Sequence, residues 1–335
     1  MMKELKESDS AEPLKIQKLR NLNMKQKQSK AIAFGKPKSH FGAYCQNLTT
    51  SLKELGRLRM AENYQTTLNR FMGFVGGADL PFDKIDQKLM ARFESYLLNS
   101  GLCRNTSSYY MRNLCAMYNR AVDEELCIDR RPFKRVYRGV DETKKRAISI
   151  DYLRSIKRLT NLSQYEDFAR DMFMFSFYTR GMSFVDIAHL QKADLSNSII
   201  TYRRCKTNQL FNIKCEELTK SIIDKYYEQS KNSSYLFPIL DNKINNEDIQ
   251  RRYRSALRCV NSNLKKIACK IGLSQNLTMY VARHSWASVA SSLDVPISTI
   301  SQAMGHTSEK TTRIYLASVN TSNVDKANSK ILNLL

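Results

Sequence analysis

The sequence predicts a mainly α-helical protein in two parts, a small helical bundle followed by an α+β domain that carries a short antiparallel sheet. Three observations predict this. Apolar residues recur at helical spacing from about His40 onward. Near residue 200 the period changes to two, in short segments rich in β-branched and aromatic residues. Between the two regimes, Arg135–Arg146 is a run of mixed charge containing Gly139 and no apolar period, which reads as a linker.

The elements follow in order. From Pro13 to Lys53 there is no acidic residue while lysines accumulate, so residues 1–39 are expected to form a basic arm. Residues 40–134 are expected to form the bundle. Phe41, Tyr44 and Leu48 open it, and Tyr64, Leu68, Phe71 and Phe74 share one face of a helix over Met60–Phe74. A third helix follows Gln87 and stops at Gly101; Asn105-Thr106 offers a cap for a fourth over Ser107–Glu125. The linker is placed at 135–146 and the second domain at 147–335. There Ser149 starts a helix to Leu159, and Glu166–Tyr178 is apolar nearly all round. Ser198–Arg203 and Leu210–Lys214 form a hairpin with Lys206 at its turn, and Tyr235–Leu240 reads as a short strand interrupted by Pro238. Helix returns over Asp248–Ile271 and continues to the end with breaks at Pro296 and Gly305.

Composition narrows the function. The chain has 335 residues, a formal charge of +22 and 42% hydrophobic content, so it can bury two cores and still requires a polyanionic partner. Nucleic acid fits this, and an anionic membrane is the competitor. No apolar run approaches the roughly 18 residues of a spanning helix, and no signal-peptide segment is present, so a cytoplasmic location without a membrane is expected. Eight scattered cysteines without a CxxC pair read as reduced thiols. Four histidines with no HExxH motif or carboxylate cluster predict no catalytic metal and no cofactor.

The chemistry concentrates near the end of the chain, in Arg283-His284, Gly305-His306 and Tyr315, nine positions after His306. A phenol with a pKa of about 10 is a poor nucleophile at neutral pH unless cations favour its ionised form and the charge of the transition state. Arginine offers a planar fork matched to phosphate oxygens, and histidine can donate or exchange a proton. On its own, Tyr315 would read as a packing residue.

Three further segments align with these: Tyr178-Thr-Arg-Gly-Met-Ser-Phe-Val-Asp-Ile-Ala-His-Leu190, the hairpin lysine Lys206, and Tyr280-Val-Ala-Arg-His-Ser-Trp-Ala287. In this order the chain resembles the tyrosine recombinases, the phage-type integrases, from about Phe41 to Leu335. The resemblance implies a SAM-like core-binding bundle and a catalytic domain of the DNA breaking-rejoining fold. It also implies metal-independent site-specific recombination (integration, excision or inversion by a mobile-element enzyme) through a 3′-phosphotyrosyl intermediate. Arg283, His306 and Tyr315 match the family pattern directly and Lys206 matches its hairpin lysine. Tyr280 stands where the family has histidine, and Ser183 stands where it has its first arginine, three residues before the acid Asp186. Arg180, one helical turn before Ser183, is the expected replacement, with Arg203 and Arg204 as fallback donors and His284 as a helper.

Arg104, Arg112, Arg131 and Lys134 are expected on a DNA-facing surface, together with Arg203, Arg204 and His284. The implied partners are double-stranded DNA with paired sites, a homo-oligomer of two to four copies on DNA, and an accessory DNA-bending protein. The apolar stripe over Thr321–Leu335 is expected to form a helix that docks on a neighbouring copy. The alternatives are a non-catalytic DNA-binding protein on the same fold, which Ser183 and Tyr280 would favour and Tyr315 opposes, and a type IB topoisomerase.

Overall fold

The structure is a computed structural model that describes residues 40–141, 146–241, 246–306 and 308–316. The basic arm over 1–39 and the stripe over 321–335 lie outside the described residues. The chain divides into two compact units, Met1–Asp141 and Glu142–Leu335, each with its own core.

Among the described residues of the first unit, four α-helices build the bundle: α1 (Phe41–Glu54), α2 (Leu58–Phe74), α3 (Gln87–Asn99) and α4 (Arg104–Asp123). Their apolar faces meet in an aromatic core in which Phe41, Phe71 and Phe93 pack edge to face. The Asp79 carboxylate accepts the Gly42 and Ala43 amides at the start of α1, and Asp86 caps α3 by accepting the Leu89 amide. Gly101, at φ +79°, ends the α3 turn as expected.

Two expectations are corrected here. Helix α4 begins at Arg104 rather than Ser107, and Asn105 is not its cap; the Asn105 amide exchanges hydrogen bonds with the backbone of Asp141, at 3.0 and 2.7 Å. The stretch expected to open the linker belongs to the bundle as far as Asp141. Val136 is buried in the core and the Tyr137 amide donates to Glu94. A single buried apolar residue among charges leaves no periodic signal to reveal this.

The second unit is built around α6 (Gln164–Tyr178), which a capping box between Ser163 and Glu166 starts. Helix α5 (Ile150–Arg158) precedes it, capped by Ser149 as expected, and α7 (Phe184–His189) follows. A three-stranded antiparallel sheet comes next: β1 (Leu195–Ser196), β2 (Ile199–Arg203) and β3 (Leu210–Lys214), in the order β1-β2-β3. Pairing Ile200 with Ile213 and Tyr202 with Phe211 puts these four side chains on the buried face. Helices α8 (Glu217–Tyr226), α9 (Asn246–Lys270), α10 (Met279–Ser292), α11 (Ile297–Met304) and α12 (Glu309–Leu316) follow among the described residues.

Both α9 and α10 pack on α6, and a small cluster of Ala287, Ala290, Ile300, Met304 and Leu316 binds α10 to the last two helices. Tyr235–Leu240 is not a strand. Only Tyr235 bridges, to Gln191, and the segment buries Leu236, Phe237, Ile239 and Leu240 in an irregular path around Pro238. Among the described residues no helix is long and apolar enough to cross a membrane.

Candidate active site

Arg283, on α10, is 5% exposed, and its guanidinium is fixed by backbone oxygens. Nη1 donates to the Gly181 carbonyl at 2.9 Å and Nη2 to the Met304 carbonyl at 2.5 Å. The same Nη2 lies 3.1 Å from His306 Nε2, so arginine and imidazole touch. Gly181 sits in the turn between α6 and α7 at φ +76°, where a Cβ would come within 2.8 Å of the Arg283 backbone. Only glycine lets that turn close on α10.

His306 follows a helix end of the Schellman type. The Gly305 amide donates to Gln302 and the His306 amide to Ser301, each at 3.0 Å, with Gly305 at φ +62°. A Cβ on Gly305 would meet the Phe211 ring of β3 at 2.3 Å, so the sheet presses directly on this turn. The other ring nitrogen of His306, Nδ1, lies 2.7 Å from Thr312 Oγ1 on α12. Tyr315 is on the same helix, one turn beyond Thr312.

The hairpin also reaches the turn through side chains near the end of β2. Asp186, buried on α7, accepts the Ser183 hydroxyl at 2.5 Å and the Cys205 amide at 2.8 Å, which clips the end of β2 to α7. Arg204 then extends its Nη1 to the carbonyls of Met304 and Gly305, at 3.2 and 2.8 Å. Two guanidinium groups, Arg283 and Arg204, therefore converge on the Met304 oxygen. Lys206 is exposed in the loop that follows, and Arg203 is spent across that loop on the Asn208 carbonyl at 3.1 Å.

These cations are felt at the imidazole. Burial first, then Arg283, Arg204 and Lys206, lower the His306 pKa from 6.5 to about 4, so its ring is neutral at pH 7. His284 is lowered to about 4 as well, by burial and then by Arg146 and Arg283.

Arg180 departs from its expected placement. It is not on a helix with Ser183: α6 ends at Tyr178, and Arg180 occupies a left-handed turn position at φ +60°. The helical-face argument for its reach is therefore lost. Ser183 stands at the N-cap position of α7 without a side-chain capping bond and gives its hydroxyl to Asp186. Tyr280 is 45% exposed, with its ring edge-on to His284 at 4.5 Å and the Arg146 guanidinium 5.8 Å above it.

On the first unit, Arg104, Arg112, Arg131 and Lys134 are all exposed. Arg104 stacks over the Tyr137 ring at 3.8 Å and lies 3.7 Å from Asp141, so part of its charge is already answered. Thr312 and the Asp186 clip escaped the sequence reading. The paired Thr311-Thr312 four and three residues before Tyr315 was the available signal for the first; the second depends on a contact across 19 residues that no local period encodes.

Residues 40–139 match the phage integrase SAM-like domain family and residues 152–321 match the phage integrase family. No curated relative matches the sequence. Among solved structures, a XerH site-specific recombinase bound to palindromic difH substrate is 18% identical with a TM-score of 0.63, covering 86% of this chain and 94% of its own. The Tn1549 transposon integrase in complex with a circular intermediate DNA is 16% identical, TM-score 0.59, with coverage of 81% and 94%. A lambda integrase tetramer bound to a Holliday junction is 14% identical, TM-score 0.60, with coverage of 83% and 77%.

Proposed function

This chain belongs to the phage integrase family, the tyrosine recombinases that break and rejoin DNA in site-specific recombination, and from that premise we propose how its own residues carry out the reaction. The observation that carries the proposal is the convergence of Arg283 and Arg204 on one carbonyl beside a neutral His306, with Lys206 close enough to act on the same ring. Adjacent cations repel one another, so the arrangement is relieved when an anion enters, and a DNA phosphodiester supplies one.

In this reading the Tyr315 oxygen attacks phosphorus in line, forming a 3′-phosphotyrosyl bond as the bond to the 5′-oxygen breaks. The phenol gives its proton to water, and Lys206 gives one to the departing 5′-oxygen, whose alkoxide would otherwise leave poorly. Arg283 and Arg204 neutralise the charge gathering on the non-bridging oxygens, and His306 donates a hydrogen bond to one of them. Arg204 thus takes the part first expected of Arg180. The unit over 146–316 cuts, while the exposed arginines of the unit over 40–141 hold the duplex. Paired DNA sites and two to four copies of the chain complete the assembly; the XerH and Tn1549 complexes support the DNA, and the lambda integrase tetramer on a Holliday junction supports the copies.

A test uses a pool of duplexes with randomised sequence around a nick, which prevents religation. Adducts that survive detergent are sequenced to define the site. The wild type is expected to yield adducts from a narrow set of sequences and Tyr315→Phe none. No adduct from any member of the pool with the wild type overturns the reading.

A further inference from the structure

Resting on that reading, we propose that Thr312 is a positioning residue for His306, a hydroxyl that keeps the imidazole anchored in both of the tautomers the reaction requires. Two neighbours define the resting tautomer. Arg283 Nη2 can only donate, so His306 Nε2, 3.1 Å away, must face it with a lone pair. A neutral ring then carries its proton on Nδ1 and gives it to Thr312 Oγ1 at 2.7 Å.

That tautomer cannot donate from Nε2 to a phosphate oxygen. When DNA enters and a phosphate oxygen takes the place of the Arg283 contact at Nε2, Nε2 must hold the proton and Nδ1 becomes the acceptor. The ring stays neutral: one proton leaves Nδ1 for water and one reaches Nε2 from water. Thr312 can follow this exchange because a hydroxyl both accepts and donates, whereas an amide, a carboxylate or a carbonyl at Nδ1 would favour or fix one form.

Two further facts support a role beyond packing. Thr312 is fully buried, so a hydroxyl there with no partner would be costly, and the imidazole is the side chain it meets. It also lies on α12, one turn before Tyr315, so the bond ties the histidine that faces Arg283 to the helix that carries the nucleophile. The hydrogen bond therefore spans the turn at Gly305, whose amide and that of His306 bond back to α11.

The test compares Thr312→Val, which keeps the shape and removes the hydroxyl, with Thr312→Ser, which keeps the hydroxyl. Nitrogen NMR of the His306 ring in the DNA-free full chain should show a protonated Nδ1 and a bare Nε2 in the wild type and in Thr312→Ser. In Thr312→Val the two forms should mix. On the duplex selected above, Thr312→Val should form adducts about tenfold to a hundredfold more slowly at saturating DNA, with affinity unchanged within about twofold, and Thr312→Ser should recover most of the rate. Equal rates for wild type and Thr312→Val, or equal losses in Thr312→Val and Thr312→Ser, overturn the proposal. A wild type that forms no adduct sinks the recombinase chemistry instead, and the ring nitrogens then decide the hydrogen bond: a wild-type ring with Nε2 protonated rejects it.

Discussion

At the scale of single residues, a guanidinium helps a phosphate only when its fork is aimed before the substrate arrives. Arg283 meets this condition through two carbonyls, and Arg204 meets it through the same strip of backbone. Arg180 is differently placed, in a left-handed turn whose carbonyl neighbour, Gly181, serves Arg283. Arg204→Ala is therefore expected to slow adduct formation by about 10²–10³, the usual loss when one charge-stabilising donor is removed, whereas Arg180→Ala should stay within about threefold of the wild type. Adduct rates at saturating duplex decide between them, and the reverse ranking would return the role to Arg180. The sequence pointed to both arginines and ranked Arg180 first, with Arg204 as a fallback. Helical spacing was the argument for Arg180, and a turn at the end of α6 removes it; Arg204 owes its position to a buried aspartate that clips the hairpin to α7.

At the scale of elements, the Gly305 turn is where α11, α12 and the sheet meet. Its positive φ disfavours any side chain by about 1–2 kcal/mol, and a methyl group would also collide with Phe211. Gly305→Ala is expected to lower the stability of the second unit by more than about 2 kcal/mol and to displace His306, which denaturant midpoints and adduct rates would show together. An unchanged midpoint would mean that the sheet does not bear on the turn. The elements most legible in the sequence were those with a long, strong period, such as α2, α3 and α6, and the hairpin, whose first strand is rich in β-branched and aromatic residues and whose second alternates Phe211 and Ile213 with polar ones. The two-residue strand β1 and the six-residue helix α7 are too short for any period to show. Tyr235–Leu240 carries strand-like residues, yet it is buried by its surroundings rather than by pairing.

At the scale of the whole molecule, the formal charge of +22 predicts how the protein holds DNA. Each phosphate it neutralises releases condensed counterions, so binding by a protein making several such contacts falls by about 10³-fold or more between roughly 50 and 200 mM salt. Fluorescence anisotropy with the selected duplex across that range is expected to show this slope, and a nearly flat one would place the charge elsewhere than on DNA. Two cores in two units, one bearing exposed arginines and the other the Arg283 cluster, suit a division of labour in which grip and cutting are encoded in separate stretches of chain.

The shared oxygen of Met304 has a consequence for sequence searches. In the proposed reaction the second charge comes from the hairpin and not from the position of Ser183, and it arrives at an address kept by the backbone around Gly305 rather than by a column of matching letters. A search that demands an arginine where Ser183 stands passes over such an arrangement.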